Sequence, residues 1–145
     1  MKVFVSYRRS DTQDFAGRLA DRLRSSRGIH EVFFDVAEIG AGEDFAQRIT
    51  TALAASDACV IVIGRDWCGG RRIFKDNDFV RLEVRGALAG ENRVLPVLAN
   101  GAVMPGPENM PEDVRRLTAL NALSIRHSDF ERDVEHLLDA IFQRK

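Results

Sequence analysis

The segment 79–89 carries two side chains that could act together on a ligand. Apolar residues such as Val80 and Val84 recur there at helical spacing, so the segment is predicted to be a helix. Phe79 and Glu83 lie four residues apart and share one face, which places an aromatic ring one turn from a carboxylate. The ring could stack on a flat part of a ligand while the carboxylate binds hydroxyl groups.

A structural role for the same pair is the alternative. Phe79 could cover the edge of the core, and Glu83 could pair with a surface arginine. Most glutamates on helices have no catalytic role. The helical wheel places Glu83 at the flank of the apolar stripe, and we expect it to have no buried partner. On that basis, Glu83→Ala is expected to leave the fold intact.

Three further candidates follow the first apolar run of the chain. Val3–Ser6 is short and rich in β-branched and aromatic residues, which predicts a strand, and Tyr7, Arg8 and Arg9 come directly after it. Guanidinium groups bind phosphate through paired hydrogen bonds, so the two arginines could clamp a pyrophosphate. Solvated or salt-bridged arginines are the alternative, and Tyr7 could line a pocket or pack.

The end of the second predicted strand, 31–34, offers another group of candidates. Asp35 could bind a sugar hydroxyl group or cap the amides of its own loop. Gly40 and Gly42 give that loop backbone freedom, for which simple turn geometry is a sufficient reason.

The elements that position these residues alternate along the chain. Strands are predicted at 3–6, 31–34, 58–63, 94–98 and 122–125, and helices from Asp11 to before Gly28 and at 44–55, 79–89 and 130–142. This alternation predicts an α/β domain with a parallel sheet and helices on both faces. In such sheets ligands bind outside the carboxyl ends of the strands, which selects the loops 7–11, 35–42 and 64–79.

Two strands have distinctive sequences. The run 58–63 is apolar without alternation, which is typical of a central strand buried on both faces. Pro96 interrupts the run 94–98, and because proline cannot donate a ladder hydrogen bond we expect this strand at an edge or a bulge.

Composition excludes several classes of protein. The chain has 145 residues, so one domain is expected. Its formal net charge is -1, so we do not expect it to bind nucleic acid or membranes through its overall charge. Cys59 and Cys68 form neither a disulfide framework nor a metal-ligand spacing. No apolar run approaches the roughly 20 residues of a bilayer span, and no signal peptide pattern opens the chain. We therefore expect a cytosolic protein without a metal or cofactor.

Two families with related folds fit poorly. A dinucleotide-binding dehydrogenase needs a glycine-rich turn after the first strand, and the segment 7–11 contains no glycine. A phosphate-accepting receiver domain needs an acidic cluster after the first strand and an aspartate at the end of the third strand, where Ile63 and Gly64 stand.

Three segments together resemble the TIR (Toll/interleukin-1 receptor) domain family, in the order and spacing of that family across nearly the whole chain. Val3–Ser10 resembles its first-strand motif, an apolar strand that ends in Ser-Tyr. The segment Phe33–Asp35 and the loop to Gly42 resemble its second strand and following loop. Asp78–Glu83 resembles the helix that bears the glutamate of the NAD-cleaving members, and the chain looks most like the bacterial, enzymatic branch.

The resemblance implies a flavodoxin-like, three-layer fold with a five-stranded parallel sheet of order 2-1-3-4-5. It also implies an NAD glycohydrolase that releases nicotinamide and ADP-ribose or a cyclic variant, with NAD as substrate and with activation by TIR–TIR self-association, in signalling or in defence such as bacterial immunity. Glu83 is then the candidate catalytic residue. The candidate substrate contacts are Phe79, Tyr7, Arg8, Arg9, Asp35 and Gly42.

The alternative within the family is a non-catalytic scaffold that acts through contacts with other TIR domains. Two departures from the enzymatic pattern bear on this choice. Some enzymatic relatives have an aromatic pocket residue just beyond the loop glycine. Here the aromatic residue, Phe45, is offset from that position, since it follows Asp44, and it resembles a core residue of its helix. The pair Trp67 and Cys68 lies far upstream of Glu83, and the Gly-, Arg- and Lys-bearing insertion between them could open or block a site.

Overall fold

The computed structural model describes residues 1–36 and 44–143. Its strands are β1 (Lys2–Ser6), β2 (Glu31–Phe33), β3 (Ala58–Ile63), β4 (Arg93–Ala99) and β5 (Leu123–Ile125), and its helices are α1 (Arg9–Arg24), α2 (Phe45–Ala54), α3 (Phe79–Ala89) and α4 (Phe130–Phe142). All strand pairs are parallel, and the order is β2-β1-β3-β4-β5, as predicted. Within the described ranges, no helix is long and apolar enough to cross a membrane.

The two faces of the sheet build two hydrophobic cores because side chains alternate along each strand. Val3 and Val5 of β1 pack into the core shared with α1 and α4, whereas Phe4 packs into the core shared with α2 and α3. Ser6 continues the alternation on the second face. All six residues of β3 are buried, which confirms the central position predicted from its unbroken apolar run.

The prediction for the fourth strand was wrong, because β4 lies between β3 and β5. All six residues of β3 pair with β4, and Pro96 lies opposite Ile61 in that register. The short strand β5 pairs only with Val97–Ala99. Pro96 therefore precedes the β5 ladder, which makes its position edge-like on that side although the strand as a whole is interior.

Asp11, where the first helix was predicted to begin, lies inside that helix and has a different role. The helix α1 begins at Arg9 with a kink at Thr12, where the backbone leaves helical geometry. The carboxylate of Asp11 instead accepts hydrogen bonds from the backbone N–H groups of Gly64 and Asp66, each at 2.9 Å. Asp11 thus joins the start of α1 to the loop that leaves β3.

Gly64 is required at this junction. A Cβ atom there would lie 2.5 Å from both the Oδ1 atom of Asp11 and the Cγ2 atom of Thr12. We expect Gly64→Ala to lower the free energy of unfolding by about 1–3 kcal/mol because of this overpacking. Gly17→Ala is the matched control, since a Cβ atom there meets nothing within 4 Å and alanine favours the helix. Urea denaturation of both variants tests this, and equal stability would contradict it.

Candidate functional site

Glu83 is buried at the contact between α3 and β1. The helix begins at Phe79 because the carboxylate of Asp78 caps it, accepting from the N–H of Arg81 at 3.2 Å. One turn later, Glu83 is only 5% exposed, and the hydroxyl of Ser6 donates to its Oε1 atom at 2.8 Å. The expectation that Glu83 has no buried partner was therefore wrong. The small side chain of Ser6 lets α3 pack over the carboxyl end of β1, which turns the flank of the helix inward.

Burial raises the pKa of Glu83 from an ordinary value of 4.5 to about 8. The hydrogen bond from Ser6 opposes this shift, the negative charges of Asp78 and Asp35 add to it, and the positive charge of Arg8 opposes it weakly. The carboxyl group is therefore mainly protonated at neutral pH. A positive charge placed beside it would favour the ionised form.

Arg8 joins three elements below the site. Its Nη1 and Nη2 atoms donate to the two carboxylate oxygens of Asp78, each at 2.8 Å, and its Nε atom donates to the carbonyl oxygen of Trp67. Both Arg8 and Asp78 are buried. Arg8 therefore fixes the N-terminus of α3 and the loop after β3 against the end of β1. Its guanidinium group is engaged inside the protein by these three hydrogen bonds.

Tyr7 and Asp35 form a second wall of the site. The hydroxyl of Tyr7 donates to the carboxylate of Asp35, and the Tyr7 ring stacks on Phe34 with centroids 4.8 Å apart. Asp35 has a positive φ of 59°, a conformation that Asp tolerates better than most residues and that turns the chain at the end of β2. The partly exposed Arg9 reaches the same carboxylate with its Nη2 atom at 3.4 Å.

Phe79 supplies an aromatic face beside Glu83. Its side chain is 40% exposed, which is unusual for a large apolar residue and leaves ring surface available to a ligand. The ring of Phe45 packs edge-to-face against it, with centroids 4.6 Å apart. Phe45 is thus a half-buried support for Phe79 as well as a residue packed on the core of α2 and α3.

These residues surround a cleft of about 560 Å³ at the carboxyl ends of β1 and β2. Six of the seven predicted site residues line it, and the seventh, Gly42, lies outside the described residues. The cleft is lined by Tyr7, Arg8, Arg9, Ser10, Gln13, Asp35, Arg72, Asp78, Phe79, Val80 and Glu83.

Among the residues at this cleft that the sequence prediction missed, Asp78, Ser6 and Arg72 bear most on its chemistry. Asp78 carried a usable signal, since an aspartate directly before a periodic apolar segment predicts a helix cap. Strand alternation assigns Ser6 to one face of the sheet, but its contact with Glu83 can be predicted only once the helix that packs on that face is known. Arg72 lies in a 3₁₀ turn, Arg72–Phe74, within the loop that was predicted to open or block the site, and it lines the cleft.

Comparison with known families agrees with this geometry. The family model for the TIR domain matches residues 3–138. The chain belongs to the TIR domain family. Within residues 1–36 and 44–143, this TIR domain has no group of three or more His, Cys, Asp or Glu residues that could hold a metal ion.

Individual relatives of this TIR domain include an enzyme. The chain is 30% identical over 130 residues to NAD(+) hydrolase sarm1 of Drosophila melanogaster. The matched region covers 88% of this chain and only 9% of that protein. Two solved structures share the fold. One shows the TIR domains of the activated Roq1 resistosome directly recognising the pathogen effector XopQ, with a TM-score of 0.68, 19% identity and coverage of 97% of this chain and 98% of that chain. The other is a prokaryotic SEFIR domain, with a TM-score of 0.67, 18% identity and 97% coverage of both chains.

The site of this TIR domain therefore combines the buried carboxyl group of Glu83, the exposed aromatic face of Phe79 and a concave, partly apolar wall. A carboxyl group in such a setting can stabilise a developing positive charge strongly, because solvent screens it little. A positively charged ligand with a flat ring and hydroxyl groups matches all three features.

Proposed function

We propose that this TIR domain is an NAD glycohydrolase in which Glu83 is the catalytic carboxylate. The observation that supports this most is the position of Glu83, buried at the wall of the cleft, held by Ser6 and one helical turn from the exposed ring of Phe79. The enzymatic relative supports the same substrate. The proposed reaction breaks the bond between the nicotinamide nitrogen and C1 of the ribose.

The chemistry needs only one carboxylate. The nicotinamide of NAD is already cationic, so it leaves as a neutral ring that takes the bonding electron pair and needs no general acid. Positive charge then develops on the ribose as in other glycoside cleavages, and ionised Glu83 would stabilise it. A water oxygen forms the new bond to C1 and its proton passes to the medium, which gives ADP-ribose; attack by a group of the same molecule would give a cyclic product.

Binding would use the residues around Glu83. Phe79 stacks on the nicotinamide or ribose ring, and Asp35, held by Tyr7, accepts from a ribose hydroxyl group. We further propose that self-association regulates the activity, and the likeness in fold to the TIR domains of an activated resistosome supports this proposal.

The pH dependence of kcat/KM tests the role of Glu83. If the ionised form is required, kcat/KM should rise about tenfold per pH unit below pH 8 and level off above it, because the pKa of the carboxyl group is about 8. Ser6→Ala should move this midpoint to higher pH, since the hydrogen bond from Ser6 lowers the pKa of Glu83. Nicotinamide release from NAD, followed between pH 6 and 9, gives the profile.

Thr12→Val is the matched control for Ser6→Ala. It also removes a buried hydroxyl group, but one without a hydrogen-bond partner among the described residues. Its pH midpoint should equal that of the wild type. A flat profile, or equal midpoints for Ser6→Ala and the wild type, would show that Glu83 does not set the rate.

A further inference from the structure

A second cavity shares part of its lining, including Phe79, with the cleft. It has a volume of about 300 Å³ and shares Arg72, Asp78 and Phe79 with the cleft, while Lys75 and Asn77 complete its wall. A ligand whose reacting part lies at Glu83 could therefore continue past Phe79 into this cavity without leaving the protein surface.

The charge of the second cavity is positive. Arg72 and Lys75 are exposed, and neither forms an ion pair within the described part of the chain. Among the described residues that line the wall, the one carboxylate belongs to Asp78, which is neutralised by Arg8 through two hydrogen bonds of 2.8 Å. Asp76, next to Lys75 in the chain, is paired with Arg81 at 3.4 Å, so the two cations of the wall favour a phosphate group as ligand.

The backbone that carries the two cations is fixed. The N–H of Arg72 donates to the carbonyl oxygen of Gly69 at 3.1 Å, and the N–H of Lys75 donates to that of Arg72 at 2.9 Å. Between them, Ile73 is fully buried in the core of α2 and α3. The turn therefore presents both side chains at one place beside the cleft, which reduces the entropy lost on binding.

We propose that Arg72 and Lys75 form a phosphate subsite that binds the pyrophosphate of a dinucleotide. This inference rests on the proposed function, because the reacting ribose of the same ligand would lie at Glu83. The sequence predicted a pyrophosphate contact for Arg8 and Arg9 together, and the subsite replaces Arg8 by Arg72, because the guanidinium group of Arg8 is engaged by Asp78 and Trp67. The subsite selects substrates that carry phosphate over those that end at the ribose.

A pair of substrates separates this subsite from the catalytic centre. NAD and nicotinamide riboside contain the same scissile bond, but only NAD has a pyrophosphate. Arg72→Gln and Lys75→Gln should each lower kcat/KM for NAD roughly tenfold, as expected for a lost charge-assisted contact, and leave kcat/KM for the riboside unchanged within about twofold. Equal losses for both substrates would overturn the proposal.

Arg71→Gln is the matched control. It removes the neighbouring arginine, whose guanidinium group lies over the ring of Phe74 and lines neither the cleft nor the second cavity. Its kcat/KM for NAD should stay at the wild-type value. A loss equal to that of Arg72→Gln would mean that general surface charge, rather than a subsite, attracts the substrate.

Calorimetric titration with ADP-ribose tests the subsite without any catalysis. Wild type and Arg71→Gln should bind ADP-ribose with similar affinity, and Arg72→Gln should bind it roughly tenfold more weakly. If the wild type cleaved no NAD but showed this pattern, the proposed function would fail and the subsite would stand. If Arg72→Gln bound ADP-ribose as well as the wild type, or the wild type did not bind it, the subsite would be refuted even in an active enzyme.

Discussion

Glu83→Gln is expected to lower kcat/KM for NAD by about 10³-fold or more while the protein stays folded. Glutamine keeps the size of the side chain and an oxygen that can accept from Ser6, so the packing between α3 and β1 is retained. It cannot become negative, and electrostatic stabilisation of a developing cation is worth about this much. Nicotinamide release measures the loss, and a variant that kept a tenth of the activity or more would exclude Glu83 as the catalytic group.

The stability of the same variant provides its control. The pKa of Glu83 is raised in the folded protein, so the native state holds the proton more tightly than the unfolded chain does. The protonated carboxyl group of Glu83 contributes fully to the free energy of unfolding below about pH 4.5. This contribution is lost as pH rises towards 8, by up to about 1.4 kcal/mol per pH unit. Glu83→Gln lacks this loss and should be more stable than the wild type at pH 8. Urea denaturation at pH 5, 6.5 and 8 would show whether the activity loss is independent of folding.

Arg8→Gln is expected to lower the free energy of unfolding by about 3–5 kcal/mol. The substitution leaves the carboxylate of Asp78 buried without its partner and removes the bond to the carbonyl oxygen of Trp67. Removing one member of a buried ion pair costs about this much because the remaining charge has lost its compensation. Urea denaturation at pH 7 measures the effect.

Arg9→Gln is the matched control for that experiment. Its side chain is about half exposed and reaches Asp35 at 3.4 Å, so its loss should cost at most about 1 kcal/mol. A double variant, Arg8→Met with Asp78→Leu, should recover part of the stability lost in Arg8→Gln, since no unpaired charge is left. If Arg8→Gln were as stable as Arg9→Gln but bound NAD more weakly, Arg8 would be a substrate ligand and the structural role would be refuted.

The parallel sheet could be predicted from the sequence because each strand has a local signature. The unbroken apolar run of β3 placed it at the centre, and strand–helix alternation placed helices on both faces. The position of β4 could not be predicted, because the effect of Pro96 depends on where β5 begins to pair. That register is a property of two strands about 25 residues apart in the chain.

The composition of the site was predicted better than its chemistry. The rule that loops at the carboxyl ends of strands form sites selected Tyr7 and Asp35, and the resemblance to the TIR family added Glu83, which lines the same cleft. Burial was not predictable, because it depends on what packs across each residue. Glu83 is buried because the small side chain of Ser6 lets α3 pack closely on β1. Arg8 is buried because it binds the carboxylate of Asp78, which caps the same helix.

Nicotinamide release by the wild-type chain tests most directly whether this TIR domain cleaves NAD with Glu83, as we propose. The assay should run over a wide range of protein concentrations, with Glu83→Gln at each of them. We expect nicotinamide equimolar with the NAD consumed, a specific activity that rises with protein concentration as the domain self-associates, and no release by the variant. Unchanged NAD at every concentration, in a wild-type protein that still self-associates, would contradict the account and favour a scaffold.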